Sequence, residues 1–138
     1  MIAVAHADLI VADVDRALGF WVGQLGGTVA DDAIVDGEVP AFYTDGRAAR
    51  MRLVMIRLAR FGAMIELMAF EPPLPAAPGG VHVTLQVDDL AGTRARLAAA
   101  GVALVGEVMT VALPRLGAAR IAFVRDPDGY LVELVEPA

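Results

Sequence analysis

Serine, lysine, asparagine and cysteine are all missing from this chain of 138 residues. Without cysteine there are no disulfides and no thiolate chemistry; without serine and lysine the commonest hydroxyl nucleophile and the Schiff-base amine are excluded too. Positive charge is scarce: eleven basic residues, all arginine, face seventeen acidic ones, for a formal net charge of −6. That balance argues against nucleic acid as a partner. Hydrophobic residues make up 57% of the chain, yet no uninterrupted apolar run reaches the ~18 residues of a membrane-spanning helix, so no membrane partner is expected. The first residues carry no basic segment ahead of an apolar one, so no secretion signal is expected and the cytoplasm is the expected compartment. Any chemistry must come from His, Asp, Glu, Tyr, Thr, Arg or a bound metal.

What is present is a repeat. Val81, His82, Val83, Thr84, Leu85, Gln86 and Val87 alternate, with the valines and leucine on one side and His82, Thr84 and Gln86 on the other. Period-two alternation of this kind predicts a strand. The same phrase stands near the N-terminus, where His6, Leu9, Val11 and Asp13 precede His82, Leu85, Val87 and Asp89 by 76 positions each. These are the only two histidines of the chain. A second match, offset by 67, aligns the strand around Glu66 and Leu67 with that around Glu133 and Leu134. Each copy therefore opens on a histidine and closes on a glutamate.

In chain order, Ile2 to Val11 reads as a strand. Asp13 caps a helix whose stripe is Val14, Ala17, Leu18, Trp21, Val22 and Leu25, stopped by Gly26 and Gly27. A strand over 28–35 follows, then a loop or hairpin over 36–50. Two apolar strands, 51–59 and 63–70, are expected to turn at Arg60, Phe61 and Gly62. Four prolines between Glu71 and Gly80 mark a linker. Beyond it the order repeats: a strand over 81–87, a helix capped by Asp88 or Asp89 and closed by Gly101, and strands near 102–108, 119–125 and 130–136. Each half reads βαβββ, with modules 1–70 and 81–138 of one domain, 1–138, joined by the linker 71–80.

Each candidate has an ordinary explanation. A strand histidine is commonly hydrogen-bonded surface or core, a strand glutamate commonly faces solvent, and Asp88 and Asp89 are read as helix capping outright. Met51, Met55, Met64 and Met68 are read as core filling. Repetition sets His6, Glu66, His82 and Glu133 apart. Both glutamates also sit in apolar strands, where an unpaired buried carboxylate is costly. Two imidazoles and two carboxylates form a sensible donor set for one divalent cation, whose charge the carboxylates balance.

These modules and residues, with the closing run from Arg125 to Glu136 (RDPDGYLVELVE), resemble the vicinal oxygen chelate superfamily. That superfamily includes glyoxalase I, methylmalonyl-CoA epimerase, extradiol dioxygenases and the fosfomycin and bleomycin resistance proteins. The resemblance covers nearly the whole chain, and the turn from Asp126 to Tyr130 is its most specific piece. It implies an α+β fold of tandem βαβββ modules forming a cupped, open-barrel mixed sheet with outer helices, the first and last strands of each module side by side. It also implies one divalent metal ion (Zn, Ni, Co, Mn or Fe) on His6, Glu66, His82 and Glu133. The His/Glu/His/Glu order is similar to glyoxalase I in particular, and implies a metal-dependent isomerase or lyase that chelates vicinal oxygens of a small-molecule substrate. A proton would move through an enediolate or enolate, with Glu133 as ligand and base, and Glu66 as ligand and second base. Glutathione recognition in that enzyme uses an asparagine soon after the first glutamate and cationic side chains. Here Glu66 is followed by Leu67, Met68, Ala69 and Phe70, so the thiol cofactor stays open. Arg16, Arg50, Arg52, Arg115 and Arg120 are the cations considered for a substrate carboxylate or phosphate. The alternatives are an Fe(II)-dependent dioxygenase, in which Glu66 would fill a fourth position, and a non-catalytic binding or resistance protein, which would need neither glutamate. Open half-barrels with exposed sheet edges also imply a homodimer.

Overall fold

A computed structural model describes residues 6–58, 64–76, 82–113 and 117–137, without the side chains at positions 6, 42, 82, 111–113 and 117. Two compact units divide the chain, Met1–Ala77 and Pro78–Ala138. In the first, strand β1 (His6–Ile10) leads into helix α1 (Val14–Leu18), then β2 (Thr28–Asp36), a short helix α2 (Glu38–Tyr43), β3 (Arg50–Arg57) and β4 (Met64–Glu71). In the second, β5 (His82–Gln86) leads into α3 (Leu90–Ala99), then β6 (Ala103–Leu113), β7 (Gly117–Arg125) and β8 (Leu131–Pro137). Each unit builds one four-stranded sheet, in the orders β1-β4-β3-β2 and β5-β8-β7-β6. In both, the first strand runs parallel to the last and the remaining pairs are antiparallel. The fold is α+β, two mixed sheets with the βαβββ order that alternation and helix spacing predict. No helix among the described residues is long and apolar enough to cross a membrane.

Both long connections start on a capping aspartate. The Asp13 carboxylate accepts from the Arg16 N–H at 3.1 Å, and Asp89 accepts from the Gly92 N–H at 2.9 Å. Each thereby satisfies a backbone donor that the helix start leaves without an intrahelical acceptor. Asp89 thus does what the sequence assigned to the Asp88 and Asp89 pair. Helix α1 packs on β4, burying Val14 and Ala17, while fully buried Leu9, Leu67 and Val54 sit opposite one another in the sheet. In the second unit Leu90 and Leu97 of α3 are buried, as are Leu85, Leu134 and Ala122 across three neighbouring strands. The period-two and period-3.6 stripes therefore meet in each unit.

Three local features differ from the sequence expectation. The first helix changes to a π-helical turn over Gly19–Gln24, where the Leu25 N–H reaches the Phe20 carbonyl at 3.0 Å. The wider turn buries the adjacent Phe20 and Trp21 together, edge to face with centroids 5.3 Å apart. Second, the segment 36–50 contains helix α2. Pro40 lies in its first turn, where a missing N–H costs little. The buried Thr44 hydroxyl then closes the segment, donating to the Pro40 carbonyl at 2.8 Å and accepting from the Ala48 N–H at 2.9 Å. Third, β6 runs to Leu113, past the expected 108, with a register shift between Val105 and Met109 and Gly106 at φ +66°. A glycine takes that left-handed conformation without the Cβ clash. Residues 2–5, the expected turn at Arg60, Phe61 and Gly62, Val81 and the 77–80 end of the linker lie outside the described residues.

One glycine is required for packing. A Cβ on Gly27 would lie 2.6 Å from Ile56 Cγ2 and 2.7 Å from the Trp21 carbonyl oxygen. The second contact is backbone and cannot swing aside. Gly27→Ala is expected to destabilise the protein by about 1–3 kcal/mol, read as a lower denaturation midpoint with an unchanged denaturant slope. A variant melting like the parent would mean that the π-helical turn shifts freely.

Candidate functional site

Strand register sorts the first sheet into rungs on the face opposite Leu9 and Leu67. At one end Met51, Met68, Phe70 and Ala48 form a buried apolar cluster, with Ile10, Val35 and Leu53 packed against it. The next rung is polar: Asp8 stands opposite Glu66, Glu66 opposite Met55, and Met55 opposite Asp31. Beyond it, His6 stands opposite Met64 and Met64 opposite Arg57. Of the four methionines read as core, Met51 and Met68 are buried there, while half-buried Met55 and Met64 border the polar rung.

Glu66 is 8% exposed, and its carboxyl is hydrogen-bonded to that of Asp8. Burial first, and then the hydrogen bond and negative charge of Asp8, push the Glu66 carboxyl up to about 7. Two carboxyl groups this close coexist by sharing a proton; a cation between them serves the same end. The donor chemistry of the rung therefore fits a divalent ion.

The second sheet repeats the arrangement with one change. Thr84 stands opposite Glu133, Glu133 opposite Phe123, and His82 opposite Leu131. The Thr84 hydroxyl donates to Glu133 Oε2 at 3.1 Å. Glu133 is half-buried, bordered on its face by Ile121, Val135 and Phe123. The repeated glutamates thus have different partners, a hydroxyl beside Glu133 and a carboxyl beside Glu66.

The four-ligand convergence expected from the sequence involves the imidazoles of His6 and His82, which lie outside the described residues. Among the described residues no group of three or more His, Asp and Glu gathers. What the register does bring together is Glu66 with Asp8, and Glu133 with Thr84. Asp8 was not singled out by sequence reasoning, although it follows His6 by two positions, as Thr84 follows His82. Strand alternation was the signal that could have found it.

Glu133 is positioned from its N-terminal side by the turn before β8. The buried Asp126 carboxylate accepts from the Asp128 and Tyr130 N–H groups, both at 2.9 Å. Gly129 takes φ +91°, and its carbonyl accepts from the Arg125 guanidinium at 2.7 Å. From the C-terminal side, Glu136 accepts from the Leu90 N–H at 3.3 Å and from Arg120, tying β8 to the start of α3 and to β7.

That bond commits Arg120 to the scaffold, and two more of the arginines considered for a substrate are likewise engaged. Arg50 holds Asp36 at 2.7 Å, and Arg52 bridges Asp32 at 2.8 Å and Asp15 at 3.0 Å. These pairs raise both guanidinium pKa values and hold Asp32 and Asp36 below the ordinary carboxylate range. Arg16 is exposed, and Arg115 lies outside the described residues.

The raised Glu66 pKa carries a pH dependence. The folded chain holds this proton more tightly than the unfolded one, so the group's stabilising contribution is complete below about 4.5 and is lost as pH climbs through about 7. In metal-free protein, Glu66→Gln is expected to flatten that decline, raising the melting temperature more at about pH 8 than at about pH 5 relative to wild type. Parallel melting curves for the two proteins across that range would contradict it.

A profile of the Glyoxalase/Bleomycin resistance protein/Dioxygenase superfamily matches residues 3–134. The chain is 40% identical over 137 residues to a Vibrio cholerae protein named "Probable lactoylglutathione lyase", covering 96% of this chain and 89% of that one. It is 29% identical over 131 residues to the Mycobacterium tuberculosis protein CFP32, named as a candidate glyoxylase, covering 95% of this chain but 42% of that one. The chain therefore spans under half the length of the mycobacterial relative. Among solved structures, a glyoxalase family protein from Bacillus cereus superposes with a TM-score of 0.80 at 26% identity, covering 99% of this chain and 94% of that one.

Proposed function

Since the chain belongs to the glyoxalase/bleomycin resistance protein/dioxygenase superfamily, we propose that it is a metal-dependent isomerase or lyase acting by proton transfer beside a carbonyl. The observation that carries this reading is the unequal pair of repeated glutamates. Glu133 sits beside a hydroxyl donor and suits a base. Glu66 sits beside a second carboxyl and suits a ligand whose proton a cation replaces. One divalent cation is assigned to His6, Glu66, His82 and Glu133, the residues that the sequence repeat pairs. When bound, it supplies Lewis-acid stabilisation of negative charge on two neighbouring substrate oxygens, worth several kcal/mol.

The remaining work belongs to the chain. Glu133 takes the proton α to the substrate carbonyl and returns it to the neighbouring carbon, while Thr84 fixes the carboxylate by its bond to Oε2. Phe123, Ile121 and Val135 border Glu133 with apolar surface, which suits a substrate with hydrophobic bulk and limits water near the base. The lactoylglutathione lyase name of the Vibrio relative favours a thiohemiacetal among the possible substrates.

The test is elemental analysis of the purified protein followed by turnover on a panel of thiohemiacetals, α-hydroxyketones and acyl-CoA esters. Bound Zn, Ni, Co or Mn with isomerisation of one class is the expected outcome. Tightly held Fe(II) with oxygen uptake would replace the reading by the oxygenase, and binding of small molecules with neither metal nor turnover would replace it by a carrier or resistance protein.

The working form is assigned as a homodimer. Strand β2 is exposed along most of its length, and Val29, Ile34, Val39 and Tyr43 present apolar surface on it and on α2. An exposed sheet edge with apolar side chains is surface that a second copy can cover. Light scattering is expected to give twice the 14.4 kDa chain mass; a monomer mass at working concentrations would refute the assignment.

A further inference from the structure

We propose that Gln86 is a specificity-determining residue, whose side-chain amide pairs with a neutral amide group on one arm of the substrate. The inference rests on the proton-transfer reading above and names the substrate chemistry that the second sheet selects.

Position on the strand carries it. The Thr84 side chain bonds Glu133, so both lie on one face of the second sheet. Gln86 follows Thr84 by two residues and shares that face, about 6.6 Å further along β5. In its rung Gln86 stands opposite Val135, Val135 opposite Ile121, and Ile121 opposite Met109. Val135 and Ile121 are buried in the apolar cluster against which Phe123 packs. An exposed amide therefore stands at the margin of an apolar surface, one rung from the proposed base. No hydrogen bond within the described residues engages it.

The first unit shows that the sheet does not need an amide at this place. Ile10 precedes Gln86 by the same 76 positions that separate the two histidines. Each stands opposite the residue two places after the repeated glutamate, Ile10 opposite Met68 and Gln86 opposite Val135. Ile10 packs against the buried cluster of Met51, Met68 and Phe70. Its rung continues through Leu53 and Ala33 and has no polar member. An aliphatic side chain completes one sheet where the other carries a glutamine, so packing does not account for Gln86.

The type of side chain then selects the ligand. A primary amide offers donors and an acceptor but no charge. Its complement is a second amide, which accepts one bond and donates the other. A carboxylate or phosphate would use the donors only, without the gain that a cationic partner provides. A mostly apolar surface with a few placed polar groups is also how small-molecule sites fix orientation. The substrate inferred has an apolar body beside Phe123 and an amide one rung from the reacting carbon.

The experiment uses two hydroxamates, meta-acetamidobenzohydroxamate and meta-propylbenzohydroxamate. Both present two neighbouring oxygens to a cation and an apolar ring, and they differ only in the arm. Their binding to the full chain is measured by calorimetry with stoichiometric Zn²⁺ and, in a parallel series, Mn²⁺. Wild type is expected to bind the acetamido probe ~3- to 10-fold more tightly than the propyl probe, the worth of one or two exposed hydrogen bonds. Gln86→Ile introduces the residue native at position 10, and Gln86→Met keeps the length of glutamine without its hydrogen bonds. Both variants are expected to bind the two probes equally. Equal affinities in wild type, a preference for the propyl arm, or an acetamido preference that persists in either variant would overturn the inference alone. Binding of neither probe with either cation would overturn the functional reading and this inference with it.

Discussion

Replacing Glu133 by glutamine is expected to lower turnover by about 10²-fold or more, the usual contribution of a positioned base, while the affinity for the cation falls only in part. The amide keeps the length and one oxygen donor of the glutamate, so coordination is weakened rather than removed. What disappears is the basic carboxylate that the Thr84 hydroxyl holds at 3.1 Å. Because Thr84 holds Glu133, which is base and cation donor together, Thr84→Val is expected to reduce turnover less than Glu133→Gln and to weaken cation binding by no more than the ~10–100-fold that changes to outer-shell partners cause. Glu66→Gln is expected to be the milder of the two glutamate changes, since Glu66 lies against Asp8 in a setting that favours the neutral acid. Steady-state kinetics of the three variants, each at saturating cation, decides the assignment by its order. Loss of activity in Glu66→Gln with Glu133→Gln near wild type would reverse the roles of the two glutamates.

The order of elements was legible because strand alternation and helix stripes are local patterns, complete within a few residues. Asp13 and Asp89 could be recognised as caps for the same reason: each acts within three residues of itself. The repeat then did what locality could not, linking His6 to His82 and Glu66 to Glu133 across the chain. Asp8 escaped because its importance depends on the β1–β4 register, which pairs it with a residue almost sixty positions later. Neither strand alone specifies that register. The arginines show the same limit, since Arg52 is engaged by Asp32 across β2–β3 and by Asp15 from α1, partners that only the folded sheet brings near. Helix α2 was hidden for a different reason. Pro40 reads as a helix breaker unless it is known to fall in a first turn, and the Thr44 bonds that finish the segment have no sequence periodicity.

His6→Ala and His82→Ala are each expected to remove the cation, a loss greater than the ~10–100-fold that changes to outer-shell partners cause. The chain holds two histidines and no cysteine, so no imidazole or thiolate elsewhere can fill the vacant coordination position. Remaining donors would be one imidazole and the carboxylates, one ligand short of the set that suits zinc or nickel. Melting curves report this without any substrate. A cation present at ~100 times its dissociation constant should stabilise the wild type by about 2.7 kcal/mol, and the same addition should leave either histidine variant unmoved. The two are expected to fail alike, because the sequence repeat gives His6 and His82 equivalent positions. A His6→Ala protein still stabilised by the cation as wild type is, beside a His82→Ala protein that is not, would mean that the N-terminal copy of the repeat supplies no imidazole.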